Sequence, residues 1–274
     1  MAVDIHPTSF AELGYMSTIR LLITKPTGPE VASAFVVSDN ERSFLVTAAH
    51  CVEGATSTTL HFYSGNEGPS LGDPVIYEVC NPGVFWRQHG DAGIDVAVAS
   101  LADVQAFFDS ERQSFFVASI PLEFVAPKWE HFPPSPFDGF RKPLALDEVL
   151  IVGYPNDYRD NPTSLPLMRR GITATPLWLD HEGRPVFLVD AAVSHGTSGG
   201  PVFFVEEKNQ SGNLMHLDSG KIVLLGVFSE VLPPKIRTAR PGVTIRPPNI
   251  GAVYKAHVIR ELLVDLCGDG AQSG

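Results

Sequence analysis

The stretch His195–Pro201 (HGTSGGP) places three glycines around one serine hydroxyl. Glycine accepts backbone angles that a Cβ atom forbids, so such a loop can turn tightly and direct its N–H groups inward. One fixed N–H donor that stabilises a developing oxyanion contributes about 3 kcal/mol to catalysis. The stretch therefore predicts Ser198 as a nucleophile and the N–H groups of Gly196 and Ser198 as an oxyanion hole. The alternative is an ordinary glycine-rich turn between strands.

Two upstream stretches separate these alternatives. The residues TAAHC at 47–51 place His50 after an apolar run, and the residues DVA at 95–97 place Asp95 at the start of another apolar run. A serine hydroxyl is a poor nucleophile until a base removes its proton. A histidine can do so near neutral pH when a carboxylate holds its tautomer. We therefore predict His50 as the general base and Asp95 as the orienting acid. Asp91 is the alternative acid, although its glycine-rich surroundings are typical of an exposed turn.

A chain that carries TAAHC, then DVA, then SGGP at 198–201 resembles the chymotrypsin-like (trypsin-fold) serine peptidases, and among them the bacterial members without disulfides. The resemblance extends over about residues 17–265. It implies an all-β fold of two six-stranded antiparallel β-barrels with a C-terminal α-helix. It also implies a serine endopeptidase, a hydrolase that forms an acyl-enzyme at Ser198 and needs no metal and no cofactor.

The order of short apolar runs and turns predicts three parts of the chain. Short β-branched runs separated by glycine and proline favour barrels or sandwiches. Residues 1–125 are predicted to hold a lead-in and the first barrel with His50 and Asp95, and residues 126–147 a proline-rich linker. Residues 148–274 are predicted to hold the second barrel with Ser198, and the apolar spacing after Val258 predicts a helix at its end.

The resemblance also implies where substrate would bind. Ala192, six residues before the nucleophile, is the predicted lining of the primary specificity pocket, and the strand with Phe228 and Ser229 is its predicted second wall. Because Ala192 is uncharged, we expect small or aliphatic residues rather than Lys or Arg before the scissile bond. His195 is a further candidate for substrate contact, with a plain surface histidine as the alternative. Two acidic residues that would change this preference by turning inward are Asp190 and Glu230.

Charge and cysteine content limit the partners and the compartment. A net charge of −11 favours protein or peptide substrates and argues against nucleic acid and anionic membranes, which need clustered Lys and Arg. No apolar run approaches the length of about 20 residues that a membrane span requires. In the resembled family the cysteine after the catalytic histidine pairs with one on the preceding strand, and residues 31–37 contain none. With three cysteines and no signal peptide at the start, we expect free thiols and a cytoplasmic location.

The resemblance bears on activation as well. Many trypsins free an N-terminus that pairs with an acid directly before the nucleophile, and in this chain that position is Thr197. We therefore expect competence without N-terminal proteolysis, with any control acting on loops around 156–166 or 231–248 or through a regulatory protein partner. Since His50 must be neutral to act as a base, the sequence predicts that activity rises through about pH 6–7.5.

Two other functions fit parts of the pattern. A catalytically inactive module of the same fold would bind peptides by strand addition in the cleft between the barrels. An esterase of the α/β-hydrolase kind would carry its residues in the order serine, acid, histidine, which is the reverse of the order in this chain. The presence of all three residues in frames typical of peptidases favours the peptidase.

Overall fold

The computed structural model describes residues 10–39, 42–65, 73–128, 146–160, 163–206, 221–232 and 249–269. Strands dominate these ranges and form two sheets, so the prediction of an all-β chain is confirmed. Most of the predicted linker at 126–147 and of the loop at 231–248 lies outside the described residues. None of the helices in the described ranges is long and apolar enough to cross a membrane.

The first sheet is built from nine strands that precede the linker. They are β1 (Thr18–Lys25), β2 (Gly28–Asp39), β3 (Arg42–Thr47), β4 (Ser57–Ser64), β5 (Val75–Val79), β6 (Arg87–Gln88), β7 (Ala97–Ser100), β8 (Phe115–Phe116) and β9 (Ile120–Pro121). The hydrogen-bonded order is β5-β4-β1-β2-β3-β7-β6, with β8 on β4 and β9 on β2. The sheet therefore differs from the predicted six-stranded barrel, because no ladder joins β5 to β6 among the described residues. The two exposed residues of β6 offer too few backbone groups for a second ladder.

Four α-helices accompany this sheet: α1 (Phe10–Met16), α2 (Ala49–Val52), α3 (Pro82–Phe85) and α4 (Ala102–Glu111). Helix α4 buries Val104 and Phe108 against the sheet. Its last residue, Glu111, is followed by Arg112, whose φ of 53° is the left-handed conformation common after a helix. The predicted lead-in at residues 1–16 thus ends in a helix.

The second sheet is a closed barrel of six strands. They are β10 (Glu148–Gly153), β11 (Leu167–Thr173), β12 (Val186–Ala191), β13 (Pro201–Glu206), β14 (Lys221–Val231) and β15 (Ile250–Lys255). The ladder closes in the order β10-β11-β12-β15-β14-β13, which confirms the predicted second barrel. Helix α5 (His257–Asp269) follows directly and confirms the predicted C-terminal helix.

Strand β2 is buried on both faces and connects the two sheets. Side chains alternate along a strand, so successive residues point to opposite faces. Phe35 and Val37 join the apolar cluster of the second barrel, whereas Ala34 and Val36 join the core of the first sheet. Burial on both faces explains why this strand reads as a nearly continuous apolar run. It also brings the strands before His50 against the barrel that carries Ser198.

Candidate active site

Asp95 holds His50 through both of its carboxylate oxygens. His50 lies in α2, directly after β3, and its Nδ1 is 2.7 Å from Asp95 Oδ2. The backbone N–H of His50 donates to Asp95 Oδ1 at 2.6 Å. A carboxylate on Nδ1 places the proton there and leaves Nε2 free to accept one. The ring of His50 is therefore oriented as a general base requires.

The second barrel helps to hold this carboxylate in place. Ser229 Oγ on β14 donates to Asp95 Oδ2 at 2.5 Å, and the Tyr254 hydroxyl on β15 donates to the carbonyl of Gly93 at 2.8 Å. Burial raises the pKa of Asp95, but the hydrogen bond and the charge of His50, together with Ser229, lower it by more. Asp95 is therefore kept ionised beside the imidazole.

Asp91, the alternative acid, does not approach His50. Its side chain is exposed, and Oδ1 accepts a hydrogen bond from the N–H of Gly93 at 2.8 Å. A carboxylate that bonds the backbone two residues later stabilises a turn. The structure therefore brings Asp95, and not Asp91, to His50.

His50 has a second neighbour at its other ring nitrogen. Nε2 lies 3.5 Å from Sγ of Cys51, a buried free thiol. Burial lowers the pKa of His50, whereas Asp95 and Cys51 raise it by more, so that the pKa moves from 6.5 to about 10. The activity limb that the sequence predicts at about pH 6–7.5 is therefore expected at higher pH.

Backbone hydrogen bonds fasten the loop of Ser198 to both sheets. Ser33 N on β2 donates to Ser198 O at 2.8 Å. Gly199 N donates to Phe228 O at 2.7 Å, and Phe228 N donates to Gly200 O at 2.8 Å. The nucleophile loop is thus anchored next to the strand that carries Ser229, and on the strand that precedes β3 and His50.

Ser33 is a buried residue that the sequence analysis missed. Its hydroxyl donates to Gly196 O at 2.7 Å and accepts from Tyr154 N at 3.1 Å, and its carbonyl accepts from Thr47 Oγ1 at 2.8 Å. A polar side chain that is fully buried needs such partners. The only signal in the sequence is a serine inside the apolar run at 31–37.

Two glycines allow the loop to approach its neighbours closely. Gly196 has a φ of 90°, and a Cβ atom there would lie 2.1 Å from Tyr154 O. Gly199 has a φ of 81°, and a Cβ atom there would lie 2.1 Å from Ser33 O. Both positions combine a left-handed backbone with a contact that no side chain permits. The sequence predicted this requirement for glycine from the HGTSGGP stretch.

The loop leaves two N–H groups available. Among the described residues, neither Gly196 N nor Ser198 N donates to a protein group. The preceding carbonyl, His195 O, accepts from Asn156 N at 2.6 Å. In a trans peptide the C=O and N–H point in opposite directions, so the N–H of Gly196 faces away from Asn156. Both predicted oxyanion donors are therefore free. Among the residues that the structure describes, no hydrogen bond joins Ser198 Oγ to His50. In free enzymes such catalytic hydrogen bonds are often long or poorly aligned.

The residues of the predicted substrate wall differ in their exposure and contacts. Ala192 is exposed, and its carbonyl accepts a hydrogen bond from Arg169; the side chain of His195 is also exposed. Phe228 is buried in the barrel and uses both backbone groups on the nucleophile loop, so its predicted contact with substrate is corrected. The hydroxyl of Ser229 donates to Asp95, so the predicted substrate contact of Ser229 would involve its backbone and stays a prediction. Within the described ranges, no group of three metal-ligating side chains is arranged to bind an ion.

Comparison with protein families identifies the chain. The model of the trypsin-like peptidase domain matches residues 32–209, well over half of the chain. The chain therefore belongs to the trypsin-like peptidase family, whose members act on proteins or peptides. None of the curated proteins compared with it is a match.

Solved structures share the fold. The HtrA-type protease AlgW with a tripeptide matches with a TM-score of 0.55 and 16% identity, over 95% of this chain and 63% of that protein. A serine endoprotease from Yersinia pestis matches with a TM-score of 0.55 and 15% identity, over 98% of this chain and 69% of that protein. The chain thus spans about two thirds of the length of these proteases, and at such identities the likeness concerns the fold alone.

Proposed function

We propose that this chain is a serine endopeptidase in which Ser198, His50 and Asp95 cleave peptide bonds through an acyl-enzyme. Two observations carry the proposal: His50 Nδ1 is paired with Asp95, and the loop of Ser198 has two free N–H groups, on either side of Thr197. Family membership supports a peptide or protein as the substrate.

The first half of the reaction forms the acyl-enzyme. His50 Nε2 takes the proton of Ser198 Oγ while Oγ attacks the carbonyl carbon of the scissile peptide bond. Asp95 stabilises the imidazolium that results, because its pKa stays low beside His50. The N–H groups of Gly196 and Ser198 donate to the oxyanion, and the imidazolium then returns its proton to the leaving amine. The peptide C–N bond breaks and an ester to Ser198 remains.

The second half of the reaction frees the enzyme. A water molecule gives its proton to His50 Nε2 and attacks the ester carbonyl, so the same N–H groups stabilise a second oxyanion. The imidazolium protonates Ser198 Oγ as the ester bond breaks. The products are a carboxylic acid and the restored serine, and no redox partner is involved.

Covalent labelling tests this proposal directly. A fluorophosphonate probe should add one phosphonyl group to the full chain at Ser198, and peptide hydrolysis should fall by about 10⁴–10⁶ in Ser198→Ala, as expected when a triad member is lost. Ser194→Ala is the matched control, because its hydroxyl lies in the same loop and has no hydrogen-bond partner in the described structure. An unlabelled Ser198 in the folded chain would refute the proposal and favour the peptide-binding module.

We also propose that the chain works in a reducing compartment such as the cytoplasm. The thiols of Cys51 and Cys80 support this, because both are unpaired. Rapid alkylation in cell extract under denaturing conditions, which expose the buried Cys51, followed by mass spectrometry, should find both residues alkylated without reductant. A disulfide at either residue would contradict the proposal.

The remaining expectations on partners stay proposals as well. The net charge of −11 supports the absence of nucleic acid and anionic membrane among the partners. Retention on DNA cellulose or on phosphatidylserine vesicles at physiological salt would contradict this. A regulatory protein partner is proposed from the resemblance alone.

A further inference from the structure

The segment Tyr154–Arg159 lies against the loop of Ser198 and has an unusual backbone conformation. Asn156 and Asp157 are consecutive residues with positive φ, of 50° and 62°. Asn and Asp tolerate the left-handed region better than other side chains, yet two in a row must be held by their surroundings. The N–H of Asn156 donates to His195 O at 2.6 Å, which fixes the peptide plane that carries the N–H of Gly196.

The surroundings that hold this segment come from the first sheet. Arg20 on β1 donates from Nε to Asp157 Oδ1 at 2.6 Å and from Nη2 to Asp157 Oδ2 at 3.0 Å. This two-bond arrangement fixes both distance and orientation. The side chain of Arg20 is only 11% exposed, so the ion pair is shielded on that side. Arg159 Nη1 adds a second cation at 3.0 Å from Asp157 Oδ1.

A histidine holds the other end of the Arg20 guanidinium. Arg20 Nη1 lies 3.1 Å from Nε2 of His61, its cross-strand neighbour on β4. Since arginine has no acceptor, Nε2 of His61 must accept this hydrogen bond. Burial and the charge of Arg20 lower the pKa of His61 to about 4, which keeps this nitrogen unprotonated at neutral pH. All three guanidinium nitrogens of Arg20 are therefore engaged, and the guanidinium is held in a fixed place.

We propose that the Arg20–Asp157 ion pair is a positioning element of the oxyanion hole, which holds Asn156 so that its N–H binds His195 O and the N–H of Gly196 points into the cleft. This inference rests on the proposed function of the loop. Arg20 and Asp157 do not contact the reacting atoms. They act on the site through the backbone of the Tyr154–Arg159 segment. Without the pair, the segment can leave its left-handed conformation and the peptide between His195 and Gly196 loses its hydrogen bond.

The test compares Arg20→Met and Asp157→Asn in the full chain. The rate constant of fluorophosphonate labelling should fall by about 10²-fold in Arg20→Met, because one oxyanion donor is misplaced. The KM for a peptide substrate should change by less than about twofold, since the interaction lost acts in the transition state. The double variant with both substitutions should label faster than the product of the two single effects predicts, because both changes remove the Arg20–Asp157 interaction. Arg20→Lys should recover part of the rate, as lysine supplies one point contact instead of a fork.

Glu148→Gln is the matched control. It neutralises a carboxylate whose ion pair with Arg170, at 3.9 Å, is exposed on both sides and lies at the far end of β10 from Tyr154. Its labelling rate should equal that of the wild type. If Arg20→Met does not fold, Asp157→Asn decides the test. Labelling within twofold of the wild type in both variants would overturn the proposal.

Hydrogen exchange separates this inference from the proposed function. The amide of Asn156 should exchange faster in Arg20→Met and Asp157→Asn than in the wild type and in Glu148→Gln. If the wild type fails to label, the proposed function is refuted, and the exchange rate alone then decides whether the ion pair positions the loop. If the wild type labels, the labelling rates decide. Unchanged exchange in a chain that does not label would overturn the inference as well.

Discussion

The side chain of Asp95 binds His50, whereas the loop of Ser198 is held through its backbone. The carboxylate of Asp95 is bound by His50 and by the hydroxyl of Ser229. The loop of Ser198 is bound through carbonyl and N–H groups, and its glycines lie against backbone oxygens. The position of the base therefore depends on the charge of Asp95, and the position of the nucleophile depends on the close packing of its loop. An isosteric change at Asp95 should therefore alter the electrostatics around His50. A methyl group added to a glycine of the Ser198 loop should instead disturb the packing of that loop.

Asp95→Asn is expected to have the largest effect on turnover. The substitution keeps the size of the side chain but removes the charge that stabilises the imidazolium, so kcat should fall by about 10⁴, with little change in folding. Steady-state hydrolysis of a peptide substrate measures this. Asp91→Asn is the control and should keep full activity, since an asparagine can also accept from Gly93 N. Equal losses in the two variants would contradict the assignment of Asp95.

Gly199→Ala tests the close packing of the loop that carries Ser198. The added Cβ would lie 2.1 Å from Ser33 O and 2.2 Å from Thr47 Oγ1, at a φ of 81°. The free energy of unfolding should fall by about 3 kcal/mol, because contact and backbone strain act together. Urea denaturation measures this. Gly90→Ala, whose added Cβ meets nothing within 4 Å, should change it little. Equal stability of the two variants would contradict the close approach.

Ser33→Ala removes a side chain that supports the backbone of the Ser198 loop. The carbonyl of Gly196 and the N–H of Tyr154 would lose a buried partner, which should cost about 1–3 kcal/mol of folding free energy. Labelling of Ser198 should slow as well, because the carbonyl of Gly196 is released. Ser38→Ala on the same strand is the control, since its half-buried hydroxyl bonds only Ser119 in the described structure. A similar cost in both variants would contradict a special role of Ser33.

The pH profile gives the smallest and most specific effect. The neutral form of His50 acts as the base, so kcat/KM rises as pH increases through the pKa of His50, which lies above 6.5 in this structure. We therefore expect the ascending limb above the range of about pH 6–7.5 that an unshifted histidine would give. Cys51→Ala removes one of the groups that raise this pKa and should move the limb to lower pH. Cys80→Ala, at an exposed free thiol, should leave it in place. A wild-type limb within or below about pH 6–7.5 would contradict the raised pKa.

The residues that could be predicted are those for which the neighbouring sequence already indicates a chemical role. His50 and Asp95 each lie at the border of a buried strand, where a polar side chain needs a partner. The glycines around Ser198 predict a left-handed backbone in close contact with its neighbours, which residues with a side chain rarely allow. Ser229, in contrast, looked like part of a substrate wall. Its hydroxyl turned out to face Asp95, because strand β14 crosses from the nucleophile loop to the acid and buries this side chain between them.

Sequence by itself determined the all-β class and the terminal helix, because periodicity depends only on neighbours along the chain. The family resemblance of its motifs implied the closed second barrel. Tertiary structure decided which hydroxyls and charges support that cleft. Ser33 meets Gly196 across 163 positions, and Arg20 meets Asp157 across 137. Such contacts depend on the packing of one sheet against another, and a one-residue change of strand register would turn both side chains to the opposite face.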